Sequence, residues 1–201
     1  MPAPETHLGY PALHFKSAAE WRKWLEKNHA KEGGLFLIIY KKESGVPSVY
    51  YSEAVDEAIC FGWIDSKINK RDDKSFYQYF TQRKPKSNWS KVNKAKVARL
   101  LKENKMAPAG LAMIELAKKT GTWTALDQVE ELELPADLAA ALSKNKKAKT
   151  YFDAFPRSAK RGILEWIMNA KREETRQKRV SETVMLAEKN VRANQYQAKE
   201  K

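Results

Sequence analysis

The residues best suited to chemistry in this 201-residue chain crowd one basic stretch: Arg83, Lys84, Lys86, Ser87, Asn88, Trp89 and Lys91. Ser87, Asn88 or Ser90 can cap a helix that begins there. The unpaired N–H groups of a helix start carry partial positive charge, which the neighbouring cations reinforce. Such a mouth can receive a phosphate or a carboxylate. Arg83 would grip it as a two-pronged fork, the lysines would act as point charges, and Trp89 would be a stacking wall for a ring or base. The plainer account of the same residues is a capped helix entrance with solvated lysines and a tryptophan packed on a sheet.

Trp63 and Asp65 join this candidate set as an indole and a carboxylate on one face of a strand. Burial would lift the Asp65 carboxyl toward acid–base work, whereas a nearby Arg or Lys would make it an ion-pair partner, and the ion pair is the favoured reading. Tyr51 and Ser52 offer hydroxyls, but no histidine stands in a motif beside them, so a serine-hydrolase arrangement lacks its base. His7, His14 and His29 are scattered, and with the single Cys60 they give no metal-ligand spacing and no internal disulfide. Cys60, between Ile59 and Phe61, reads as a small buried hydrophobe. Neither catalytic residues nor a metal or cofactor is expected.

Several elements must position these groups. Trp21, Trp24 and Leu25 form an apolar stripe on a helix over residues 16–29, which Gly33 and Gly34 end. The run from Leu35 to Tyr40 is short and rich in strand formers, as expected of a central strand covered on both faces. Ser52 can cap a second helix, with Glu53, Asp56 and Glu57 near its positive end. Alternation from Trp63 to Ile68, a polar turn at Arg71–Lys74 and alternation from Phe76 to Phe80 spell a hairpin, with Ile64 and Ile68 on one face and Trp63, Asp65 and Lys67 on the other. Helices follow from Ser90 and from Pro108, the latter ended by Gly121. Residues 122–134 are acidic and aperiodic and read as a connection.

Past Pro135 every segment reads as helix, including stripes Ile163, Leu164, Ile167, Ala170 and Val180, Val184, Ala187, Val191. The expected class is therefore α+β: a small antiparallel sheet with flanking helices over residues 10–121, then an all-helical module over residues 135–192. The longest apolar run is far shorter than the roughly 20 residues of a membrane-spanning helix, and the first residues carry no signal-peptide pattern, so a cytoplasmic protein without membrane insertion is expected.

The net charge of +13 is unevenly spread. Residues 67–105 carry 13 positive and 3 negative side chains and residues 144–201 carry 16 and 7, leaving an acidic remainder. Two basic zones suit a polyanion or an anionic small ligand. They disfavour direct capture of cationic peptides.

The segments EAVDEAICFGWIDSKI (residues 53–68), FTQRKPKSNWSKVNK (80–94) and AGLAMIELAKKTGTW (109–123) resemble the YdeI/OmpD-associated, or bacteriocin-protection, family of bacterial proteins. Residues 134–180 resemble its C-terminal helical module. The N-terminal lobe is also similar to the YjbR/CyaY-like superfamily, which implies a small antiparallel sheet with flanking helices. The resemblance implies a link to tolerance of bacteriocins or antimicrobial peptides, with no defined reaction and so no catalytic residues to carry over. Three readings follow: a non-enzymatic stress-tolerance protein acting through a protein partner; a binder of nucleic acid or an anionic ligand; and a small-molecule enzyme built on Asp65, Arg83 and Trp89.

Overall fold

Strands β1 (Thr6–His7), β2 (Tyr10–His14), β3 (Gly34–Tyr40), β4 (Trp63–Lys70) and β5 (Ser75–Gln82) form one sheet in the order β1-β2-β3-β5-β4. The computed structural model describes residues 5–195, and the chain divides into two compact units between Ala125 and Leu126. Neighbouring strands are antiparallel except β2 and β3, which run parallel because helix α1 (Ala18–Asn28) carries the chain back between them. The α+β class with a mainly antiparallel sheet holds.

The pleat sorts the side chains of β3 and β5. Leu35, Leu37 and Ile39 join Phe80 in a core under the helices, while Phe36 and Ile38 face the other way with Tyr77 and Tyr79. That helix-free face is partly roofed by the N-terminal arm. The His7 ring stacks on Tyr77 at 4.2 Å, and the Glu5 carboxylate accepts hydrogen bonds from Arg71 Nε and Nη2 (2.9 Å each) and from the Tyr77 hydroxyl (2.6 Å).

Strand β4 departs from simple alternation. A bulge between Asp65 and Ile68 shifts the register, so Ile64 lies opposite Thr81 and Ile68 opposite Gln78. The two isoleucines expected on one face therefore point to opposite faces. The following turn is fastened by Asp72, whose Oδ1 accepts from the N–H groups of Lys74 (2.8 Å) and Ser75 (2.7 Å).

Helix α2 (Tyr51–Cys60) begins two residues earlier than a Ser52 cap would start it. Tyr50 is the N-cap, and the Glu53 carboxylate reaches back to its N–H at 3.1 Å. The other two acids of this helix are tethers rather than dipole partners. Asp56 binds Lys96 (2.7 Å) and Arg99 on α3 (Lys91–Lys102), and Glu57 binds Arg22 of α1 at 2.8 Å. Because Asp56 and Lys96 are mostly shielded from water, Asp56→Ala strips Lys96 of its carboxylate, while Arg99 keeps Glu103 at 3.0 Å. It is expected to cost about 2 kcal/mol in urea unfolding. Helix α4 (Pro108–Thr120) opens on its proline and ends at Gly121 in the left-handed region (φ 77°).

The second unit contains α5 (Asp127–Glu130), α6 (Ala136–Ser143), α7 (Lys146–Ala154), α8 (Arg157–Met168) and α9 (Glu173–Glu188). Its core gathers Leu138, Leu142, Phe152, Ile163, Ile167 and Ala187. Leu126 and Val129 are buried in that same core, so the acidic segment expected to be a mere connection contributes a short helix to it. Its lack of period reflects an element too short to display one. No helix among the described residues is long and apolar enough to cross a membrane.

Candidate anion site at Arg83

Strand β5 ends at Gln82, and the N–H of Arg83 still donates to Gly62 O at 2.9 Å, so the arginine leaves the sheet at a fixed point. A turn then reverses the chain: Pro85 follows Lys84, and Ser87 N–H donates to Lys84 O at 2.9 Å. This places Arg83 against Trp89, with the guanidinium carbon 3.8 Å from the indole ring centroid. Arg83 Nη1 donates to Asn88 O at 3.0 Å, and the Trp89 backbone N–H donates to Thr122 O at 3.1 Å. Trp123 packs against Trp89 at 5.1 Å. Ser90, of the three candidates, caps α3, its hydroxyl accepting from Asn93 N–H.

The arginine is an interior residue, only 2% exposed. Its Nε and Nη2, together with Trp89 Nε1, are buried and have no hydrogen-bond partner among the described residues. Burial pushes the Arg83 guanidinium down to about 10, with the charge of Asp65 partly opposing the shift. A cation depressed in this way favours folding less below its folded value than above its unfolded one. Its burden is thus fully present at neutral pH and lifts only as pH rises through about 10.

Asp65 forms no ion pair among the described residues, contrary to the favoured expectation. Its Oδ2 instead accepts from the Tyr51 hydroxyl at 2.8 Å. Burial and that bond push the Tyr51 phenol up to about 12, so it remains a donor at neutral pH. Two contacts are therefore in place, the Tyr51–Asp65 hydrogen bond and the Arg83–Trp89 stack, with the carbonyls of Ser87 and Asn88 fastening one edge of the guanidinium.

Other expected members stand apart. Trp63 is buried, and its indole N–H donates to His29 O at 3.0 Å; it serves the tryptophan cluster of Trp21 and Trp24. Trp89 is 1% exposed, so it offers no open face for stacking a base. Lys84, Lys86 and Lys91 are exposed. The exposed Lys84 and Lys86 and the packed indole match the plainer account; the buried arginine does not. Only a turn-forming Lys-Pro-Lys-Ser between Arg83 and Trp89 could have signalled that the two close on each other.

Cys60 is buried, and burial together with the charge of Glu57 pushes its thiol up to about 11. Native protein at pH 8 is expected to resist a thiol-titrating disulfide reagent and to react within minutes once unfolded in guanidinium; rapid native reaction would contradict its burial.

Residues 13–113, just over half of the chain, match the family model of a domain of unknown function, DUF8412. The chain belongs to that family. The DUF8412 segment contains Tyr51, Asp65, Arg83 and Trp89, so the whole candidate site except the packing residue Trp123 lies within it. Residues 131–190 match the model described as bacteriocin-protection, YdeI or OmpD-associated. Neither match is to a YjbR/CyaY-like domain, so the likeness of the N-terminal lobe to that superfamily has no support from them. No curated protein and no solved structure matches the chain.

Proposed function

We propose that this protein is a non-catalytic binding protein of the bacteriocin-protection, YdeI/OmpD-associated type, working in the cytoplasm, and that its N-terminal unit takes a small anion at Arg83. The observation that carries this reading is the buried guanidinium with two N–H groups unmet. A buried charge lacking a counter-ion costs several kcal/mol, and each unsatisfied buried donor about 1–3 more. Against this stand the Nη1 hydrogen bond to the Asn88 carbonyl, a longer one to the Ser87 carbonyl, and the stack on Trp89, the first and last each worth about 2 kcal/mol. The balance is poor for a purely structural arginine and good for one awaiting an acidic group. A nucleic-acid reading has only the two basic zones behind it, because the indole that would stack a base is sealed.

Arg83→Met tests the balance. It is expected to leave ligand-free stability unchanged or about 1 kcal/mol higher. In wild-type protein, a bound anion at a hundredfold excess over Kd stabilises by about 2.7 kcal/mol, read as a rise in Tm at constant ionic strength. The Met variant should show no such rise. A strongly destabilised Met variant, or an equal response to anions in both proteins, would remove the reading.

A further inference from the structure

We infer that the helix-free face of the sheet holds a second binding site, a cavity for a small aromatic carboxylate whose ring lies against Tyr10, Phe36 and Tyr79 and whose charge meets Lys67. The cavity measures about 340 Å³ and opens between the N-terminal arm and β4. That volume suits one ring with a short side chain. Phe36 and Tyr79 lie 4.8 Å apart at a tilt of 50°, and Tyr10 meets Tyr79 edge-on at 5.1 Å. Tyr79 can lie this way because β3 starts on Gly34, where a Cβ would stand 2.4 Å from the Tyr79 hydroxyl. Tilted rings offer a further ring both faces and edges, the packing that aromatic groups prefer. Leu8 completes the rim, 73% exposed and in the left-handed region (φ 50°). Turn positions with positive φ ordinarily carry Gly, Asn or Asp, so the turn itself does not call for a leucine.

The polar wall comes from the bulge in β4. Asp65 pairs with Phe80 and Ile68 with Gln78, so Ser66 and Lys67 stand together opposite the single residue Tyr79, and both line the cavity. Without the extra residue, Lys67 would stand opposite Gln78, which is buried on the helix-covered side with Phe80. The bulge thus delivers an ammonium group to an aromatic cavity. Lys67 is the only charged residue of the lining, and it has no ion pair or hydrogen bond among the described residues. A carboxylate on the ligand supplies the missing partner. Three rings would also suit a quaternary ammonium, but Lys67 and the net charge of +13 oppose a cation. Arg83 takes no part, since it stacks on Trp89 of the helix-covered core.

The test titrates phenylacetate and its neutral counterpart phenylacetamide into the full-length wild type, Lys67→Met and Tyr10→Ala at neutral pH and constant ionic strength, by calorimetry and NMR. Wild type is expected to bind phenylacetate roughly fivefold more tightly than phenylacetamide, the upper end for a partly exposed ion pair, with ligand contacts to the Tyr10 and Tyr79 rings. Lys67→Met should equalise the two compounds, and Tyr10→Ala should weaken both by roughly fivefold. Equal affinity of wild type for the two, phenylacetate binding that survives both substitutions, or no binding by wild type overturns the inference. Tighter binding of benzyltrimethylammonium than of phenylacetate overturns it too, as does a dimer in sedimentation that Leu8→Ser splits, because a second copy then occupies the face. Should Tyr10→Ala not fold, judged by circular dichroism, the comparison of wild type with Lys67→Met decides alone.

Discussion

Gly110→Ala is expected to destabilise the N-terminal unit by more than about 3 kcal/mol, or to prevent its folding. A Cβ at this position would lie 2.2 Å from Cys60 O, 2.8 Å from Cys60 C and 2.9 Å from Ile59 O. All three are backbone atoms. No flexible side-chain tip can move aside, and the Cys60 carbonyl is further held by the Ala107 N–H at 3.1 Å, so the entry to α4 is clamped on the exit of α2. The sign makes the test sharp. In a helix interior with room to spare, glycine to alanine stabilises by up to about 1 kcal/mol. Gly162, inside α8, supplies that control, since its nearest neighbour would be the Gln195 side chain at 3.5 Å, an ordinary contact. Urea unfolding of both variants should therefore move in opposite directions. A Gly110→Ala protein as stable as the parent would mean that the two helices do not approach this closely.

In the helical unit, Phe152→Ala is expected to cost about 3–5 kcal/mol. Phe152 is 1% exposed on α7, packs on Phe155 at 5.9 Å and shares its core with Leu138, Leu142 and Ile163. Its removal leaves a void among side chains anchored on three different helices, which limits collapse. Trp166 is the one tryptophan beyond residue 125, so this unit carries its own fluorescent reporter. A shift of its unfolding midpoint by less than the equivalent of about 1 kcal/mol would show that the core can close over the gap.

Much of this architecture is written locally. Trp21, Trp24 and Leu25 mark α1 by spacing alone; the apolar run from Leu35 marks β3; Pro108 and Gly121 bracket α4 within a residue. In each case the signal and the structure it specifies lie on the same dozen residues. The features that sequence could not place depend on partners far along the chain. Asp56 looks like a helix-start acid until Lys96 and Arg99, forty or so positions later, are brought beside it. The bulge after Asp65 answers to the pairing of β4 with β5, and no residue in β4 announces it.

The candidate site shows the same division. The stretch from Arg83 to Lys91 is legible as cationic, and Ser90 as a cap, because both follow from residue type and order. Which cation goes inside is not legible, since arginine and its lysine neighbours have nearly the same mean hydropathy. Only the tight reversal at Pro85, combined with a core lined by Trp89 and Trp123, draws Arg83 inward and leaves Lys84 and Lys86 outside. Asp65 meets a phenol in place of the expected cation, because α2 sets the Tyr51 hydroxyl 2.8 Å from its carboxylate.

The arm over the helix-free side of the sheet closes with an acid-labile latch. Arg71 and the Tyr77 phenol hold the Glu5 carboxyl below its ordinary value of 4.5, so the fastening is complete above that pH and is progressively lost as the medium turns more acidic. Release would bare Phe36 and the neighbouring tyrosine rings as a contiguous greasy patch. Samples acidified well below pH 4.5 would then self-associate through this side, and neutralisation would disperse them.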